Sequence, residues 1–222
     1  MRNKIYYIAI IALCLTVACN KEPDFNYPEG TVGISKIIYY ASVVIKGEHL
    51  IIIHKGDAYT DPGVTALIKG QPVDVTTTGS VDPTTPGVYN IDYSAKNPEG
   101  YVATDFRTVV VIGDDVAAND FSGTYLRAAT GVTSTWNKVA NGVYTVDNPG
   151  GAGVGAGYFV TVVNYTGNKI KIPRQLATDP DGAIGLVSSR NETYNASANP
   201  VTYSWVFLAG GYGTGLRTFK KI

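Results

Sequence analysis

Apolar residues along this chain recur at two spacings. One is a single continuous block near the N-terminus, Ile5 to Ala18, with no charged residue in it. Everywhere else they come as short runs or strict alternations, four to nine residues long, cut apart by Gly, Pro, Asn and Asp. No window sustains the 3.6-residue recurrence of an amphipathic helix, so the pattern predicts strands and turns. Runs at Ile37 to Ile45, Leu50 to Ile53, Val64 to Ile68, Val73 to Thr78 and Arg107 to Ile112 are each read as a strand. Tyr89, Ile91, Tyr93 and Ala95 alternate with Asn90, Asp92 and Ser94, the period of a half-buried strand. The polar stretch Gly113 to Asn119 interrupts this series and reads as a linker.

Strand signals resume beyond it. Val132 to Val139 and Val143 to Val146 flank Asn141-Gly142, a strong two-residue hairpin signal. Tyr158 to Tyr165 and Lys169 to Ile172 flank Thr166-Gly167-Asn168, a second hairpin. Further strands are expected at Ile184 to Ser189, Val201 to Leu208 and Leu216 to Ile222. Short strands in meander order suit an antiparallel barrel or a sandwich. The fold class is therefore all-β: an N-terminal sandwich over residues 32–113 and a C-terminal antiparallel β-barrel or sandwich over residues 119–222.

The apolar block near the start has a different meaning. Arg2 and Lys4 precede 14 apolar or uncharged residues, too few for the roughly 20 that cross a bilayer. Charge followed by a short apolar stretch is the layout of a secretory signal, here residues 1–18. Leu15-Thr16-Val17-Ala18-Cys19 resembles a bacterial lipobox, although Leu15 stands one position further from the Cys than is usual. The resemblance implies that Cys19 is acylated and becomes the mature N-terminus, an anchor worth the transfer of its acyl chains into the bilayer. Asn20-Lys21-Glu22-Pro23-Asp24 is similar to the Lys-plus-acidic export signal of Bacteroidetes lipoproteins, and reads equally as a solvated linker. Residues 19–31 then form a tether with Pro23, Pro28 and Gly30.

A more extended resemblance lies in the first domain. Lys55-Gly56-Asp57-Ala58-Tyr59-Thr60-Asp61-Pro62-Gly63-Val64, then Thr78 to Tyr89 with Asp82-Pro83 and Pro86-Gly87, then Asn97-Pro98-Glu99-Gly100, resemble bacterial surface immunoglobulin-like domains in the same order. This implies an immunoglobulin-like sandwich serving as a spacer or adhesive module, with no common ligand. Tyr89, directly after its Pro-Gly turn, has the placing of a tyrosine corner. The second domain, with Gly123-Thr124-Tyr125, a Trp strand and a late Tyr-x-Trp strand, is similar to the C-terminal β-domains of uncharacterised Bacteroidetes surface lipoproteins.

Composition narrows the function classes. The precursor carries 18 basic and 18 acidic residues, which argues against a nucleic-acid partner. Without the signal the balance is 16 basic to 18 acidic. Loss of Cys14 with the signal leaves no free thiol once Cys19 is lipidated, so disulfides, thiol catalysis and Cys-based metal sites fall away together. His49 and His54 are five residues apart near one strand and point to opposite faces, unsuited to sharing a metal. No His follows residue 54, which removes Ser/His and Cys/His chemistry from the second domain. Its acids Asp120, Asp147, Asp179, Asp181 and Glu192 sit mostly in turn contexts, where Asp serves the backbone. Asp57 and Asp61 are read the same way, ahead of a calcium site. The Gly-rich stretch Pro149 to Gly157 lacks the Lys-Ser/Thr ending of a phosphate loop.

What remains is aromatic. Trp136, Tyr194, Trp205 and Tyr212 are the candidate ligand-binding rings, since a flat ring on a β-scaffold stacks on the apolar face of a sugar. Tyr203, Trp205 and Phe207 alternate on one face, however, which favours a core. The expected protein is non-enzymatic, without metal or other cofactor. It is a lipoprotein of the outer membrane, exposed at the cell surface. Its leading expected role is accessory glycan binding beside an outer-membrane importer, with polysaccharide as ligand. The alternative is a structural or adhesive protein that contacts another protein.

Overall fold

The computed structural model describes residues 28–32, 35–153 and 157–222. The signal, Cys19 and most of the tether lie outside the described residues. The chain divides into a unit ending at Tyr39 and a unit from Tyr40 to Ile222. In the first, β1 (Thr31–Val32) and β2 (Ser35–Lys36) pair antiparallel. In the second unit every described strand pairing but one is antiparallel.

The first domain is a sandwich of two sheets. A three-stranded sheet is ordered β3 (Ser42–Ile45), β5 (Val64–Ile68), β6 (Gln71–Pro72). A four-stranded sheet is ordered β4 (Leu50–His54), β9 (Val102–Ile112), β8 (Gly87–Lys96), β7 (Thr76–Thr78). Leu50 to His54 run parallel to Thr108 to Ile112, the one parallel pair. Ile91, Tyr93 and Val109 fill the sandwich interior against Val43, Ile45, Ile51 and Ile53.

Two predicted strands come out differently. The run Ile37 to Ile45 is a strand only from Ser42, because its partner β5 spans just five residues and pairs with residues 42–45 alone. The run Val73 to Thr78 is not one strand. The chain leaves the first sheet at Pro72, drops Val73 and Val75 onto the core, and joins the other sheet at Thr76.

The second domain is a single nine-stranded antiparallel sheet, ordered β14-β13-β12-β11-β10-β18-β17-β16-β15. Its strands are β10 (Gly123–Arg127), β11 (Val132–Ala140), β12 (Val143–Asp147), β13 (Phe159–Thr166), β14 (Lys169–Lys171), β15 (Gln175–Thr178), β16 (Ile184–Asn195), β17 (Thr202–Leu208) and β18 (Arg217–Lys221). The sheet curls until its ends meet. Ser189 donates its amide to Ile172 at 3.1 Å, and Ile172 donates to the Ser189 hydroxyl at 2.8 Å. The Asn141-Gly142 hairpin forms as predicted. Gly142 is required there, with φ at +70° and a Cβ that would lie 2.5 Å from the Asn164 carbonyl oxygen. Strands β10 and β15 carried little hydrophobic signal. β16 extends past the expected Ser189 because a register shift between Arg190 and Thr193 carries a polar stretch through the ladder.

The two domains meet on an apolar joint. In β9 the alternation sends Val109 into the sandwich and Val110 and Ile112 the other way, onto Val163, Val143 and Tyr165 of the second domain. The expected linker holds a 3-10 turn, Asp114–Val116, and buries Val116 in that joint. Its Asp115 carboxylate accepts the Thr166 hydroxyl at 2.9 Å and the Gly167 amide at 2.7 Å. Arg174 spans the same seam. Its guanidinium bonds Asp92 at 2.6 Å and lies 4.3 Å from the Phe106 ring centre, while Thr108 donates to its carbonyl at 2.8 Å.

Candidate functional site

The second domain wraps around aromatic rings. Trp136 from β11, Tyr144 from β12 and Tyr203, Trp205 and Phe207 from β17 all project inward, because alternate strand residues share a face. Trp136 and Trp205 stack at 5.6 Å between ring centres and 16° between planes. They are 1% and 0% exposed. The Trp205 indole N–H donates to the Pro149 carbonyl at 2.8 Å. Tyr194 stacks on Phe121 at 3.8 Å, and its hydroxyl meets that of Tyr125 at 3.0 Å. Tyr212 lies edge-on to Phe207 at 5.0 Å with the Arg217 guanidinium above its ring. Burial pushes the Tyr203 hydroxyl pKa well above its ordinary value, and that of Tyr125 likewise, with the Tyr194 hydrogen bond adding to the latter.

Trp136 and Trp205, named as candidate ligand-binding rings, are both core, as the alternation of Tyr203, Trp205 and Phe207 favours for the latter. Tyr194 and Tyr212 are half-buried and packed against that same core. The physical reason is closure. A nine-stranded sheet that curls on itself must fill its interior, and large rings fill it most cheaply. Among the described residues the interior is filled by this cluster of rings and aliphatic side chains.

Most of the domain's acids have local tasks. Asp120 accepts the Ser122 amide and hydroxyl, Asp147 accepts the Thr135 amide, and Asp179 accepts the amides of Asp181 and Ala183. Glu192 pairs with Lys171 at 3.0 Å and accepts the Ser189 hydroxyl.

In the first domain the turn motif builds a clamp. The Arg107 guanidinium, fully buried, reaches from β9 to the Asp61 carboxylate and also donates to the carbonyls of Lys46 and Glu48. Tyr93 donates its hydroxyl to Asp61 at 2.7 Å, and the Gly63 amide does so at 3.0 Å. Burial alone would raise the Asp61 pKa. The hydrogen bonds from Tyr93 and Gly63 and the charge of Arg107 outweigh it and hold the carboxyl below its ordinary value. Asp57 caps the His54 amide at 2.8 Å. Both acids thus have hydrogen-bond partners, and among the described residues no group of three His, Cys, Asp or Glu is placed to hold a metal. His49 bonds Asp105 at 2.9 Å, at the opposite end of β4 from His54. Tyr89 donates to the Thr85 carbonyl at 2.8 Å, so the tyrosine corner forms.

The surface shows two features that the sequence reading did not single out. One is an exposed ring pair, Tyr40 and Tyr101, with centres 5.4 Å apart. The other is a groove of about 800 Å³ on the second domain, running between β13 and β15 and lined among others by Phe159, Thr161, Gln175, Leu176, Pro180 and Ile184. Phe159 and Ile184 are each 72% exposed, and Leu176 and its cross-strand neighbour Leu186 are also exposed. Such a cluster of uncovered apolar side chains makes the groove a candidate contact surface. Its signal in sequence was present but ambiguous, since Phe159 and Leu186 alternate in their strands just as core residues do.

The fold and surface define an all-β chain with an immunoglobulin-like sandwich ahead of a curled, solid-cored β-domain. Residues 43–111 match the family described as bacterial surface protein, Ig-like domain. The first domain is accordingly a bacterial surface immunoglobulin-like domain. The chain is also similar in structure to the lipoprotein BT2262 from Bacteroides thetaiotaomicron, at 22% identity over 82% of this chain and 100% of that one. The TM-score of 0.36 is too low to establish a common fold across the whole chain. No match is found among curated proteins.

Proposed function

We propose that this chain is a non-enzymatic lipoprotein, anchored in the outer membrane through Cys19 and displayed at the cell surface. In this reading the immunoglobulin-like domain is a spacer, and the C-terminal domain contacts a protein partner, of which an outer-membrane importer is one kind. The observation that carries it is the exposed apolar groove on a domain whose expected ligand-binding rings are drawn into the core. The family match of the first domain and the charged, apolar, Cys-ending N-terminus support the surface and anchor parts. Glycan binding is kept as a second reading because Tyr40 and Tyr101 form an exposed ring pair, now on the first domain.

The test has two arms, both on the whole chain. Replacing Cys19→Ala should move the protein from the membrane fraction to the soluble one; retention in membranes would refute the anchor. In-cell crosslinking of the anchored protein should yield a discrete protein adduct. Absence of any adduct, together with retardation by polysaccharide in affinity electrophoresis that Tyr40→Ala or Tyr101→Ala abolishes, would reverse the choice in favour of the glycan.

A further inference from the structure

The groove is more than an apolar patch, because its two walls are strand edges. Along β13, Tyr158 accepts the Asn148 amide and Asn164 donates to Gly142, so the even-numbered residues bond toward β12. By alternation Phe159, Thr161 and Val163 present their backbone groups to the other side. Val163 meets β14 there. Thr161 meets a side chain instead of a strand: Gln175 accepts its amide at 2.9 Å and donates to its carbonyl at 2.8 Å. Phe159 lies beyond, on the same edge.

The facing wall obeys the same rule. Asp179 donates to Ala183, which makes Ala177–Gly185 and Gln175–Val187 the bonded pairs of the β15–β16 ladder. Leu176 and Thr178 therefore turn their N–H and C=O groups away from β16 and into the groove. No ladder joins β13 to β15. At Thr161 a glutamine side chain spans the space between them, with hydrogen bonds to the far wall. The Gln175 amide acts there as a one-residue imitation of a strand.

We propose that this slot accepts one extended segment of a partner polypeptide, added as a strand between β13 and β15. The inference rests on the protein-contact reading and deepens it. Edges that present alternating donors and acceptors on both sides are satisfied by a peptide backbone and by no other common ligand. The slot's wall at β15 is four residues long, about 13 Å at strand rise. That length suits a single short strand.

The slot also continues an existing interface. Val163, Thr161 and Phe159 share the outer face of β13; the first domain covers Val163 and leaves Phe159 bare. The inserted strand would carry apolar residues at its outward positions, between Phe159 on one flank and Leu176 on the other. Asp179 lies at the end near Pro180, and an adjoining hollow that shares Phe159 and Pro180 contains Asp147. A cationic residue at that end of the segment complements them.

The test uses the purified full chain and fluorescent hexapeptides of alternating Val and Thr with one Lys at either end. Saturable binding is expected, weakened at least tenfold by Phe159→Asp or Leu176→Asp and unchanged by Val139→Asp, an exposed substitution elsewhere on the domain. Methylating alternate backbone nitrogens should abolish binding, and exchanging the Lys for Glu should weaken it at low salt. Binding that survives methylation would overturn strand addition, as would equal affinity for Phe159→Asp and wild type. If the crosslinked protein adduct forms in cells while the peptides do not bind, the slot is wrong and the protein-contact reading stands. If neither occurs, that reading has failed with it.

Discussion

Removing the Asp61 carboxylate should destabilise the protein far more than a surface ion pair would. Asp61 is partly open to water, with 27% of its side chain exposed, and taken alone would resemble a surface pair worth about 0.2–1 kcal/mol. Its partner decides the matter. The Arg107 side chain is 0% exposed, so Asp61→Ala strands a guanidinium in the sandwich, a loss of about 3–5 kcal/mol in buried pairs. The carbonyls of Lys46 and Glu48 still accept from Arg107, which places the expectation at the lower end, about 3 kcal/mol. Because the apolar joint couples the domains, a unit of this size should lose about 6–12 °C in Tm. The assay is urea and thermal unfolding followed by circular dichroism, with Asp57→Ala as control for an exposed amide cap. Asp61→Ala and Arg107→Met should be strongly non-additive, since the double variant no longer buries an unpaired charge. A cost below about 1 kcal/mol for Asp61→Ala, or simple additivity, would refute the reasoning.

Three further expectations follow from the same structure. Since the Asp61 pKa is depressed on folding, its contribution is present above the unfolded carboxyl value and lost as pH falls through the folded one; acid titration of stability should show this loss in wild type and not in Asp61→Asn. Trp205→Ala should cost about 3–5 kcal/mol in unfolding free energy, measured by denaturant titration, because the ring is wholly buried among Trp136, Tyr203 and Phe219. Val163→Asp should place a charge in the joint between the domains, and calorimetry should then resolve two transitions where the wild type shows one.

What is legible in the sequence differs from strand to strand. The all-β class, the tyrosine corner at Tyr89 and the Asn141-Gly142 hairpin are local matters: each depends on residues within four or five positions, and the turn chemistry alone specifies them. Asp57 serves the backbone as its turn context suggests, capping the His54 amide, whereas Asp61 accepts the Gly63 amide and also holds the Tyr93 hydroxyl and the Arg107 guanidinium. By contrast, Arg107 looked like an ordinary strand residue, since its partner Asp61 stands 46 positions away. The short strands β10 and β15 were missed because neighbouring strands, rather than their own composition, hold them in place. The groove is ambiguous in the sequence for the same reason. The sequence shows that Phe159 is apolar, but not that β14 stops short and leaves it uncovered.

The sequence by itself determined the all-β class, the main turns and the sandwich of the first domain, because these follow from alternation and from residues close in the chain. Only the tertiary structure decided which rings are core and which surface is bare. Alternation says that two residues share a face. Whether that face turns toward an interior or toward water depends on how a nine-stranded sheet closes, and closure is set by contacts between residues distant in sequence.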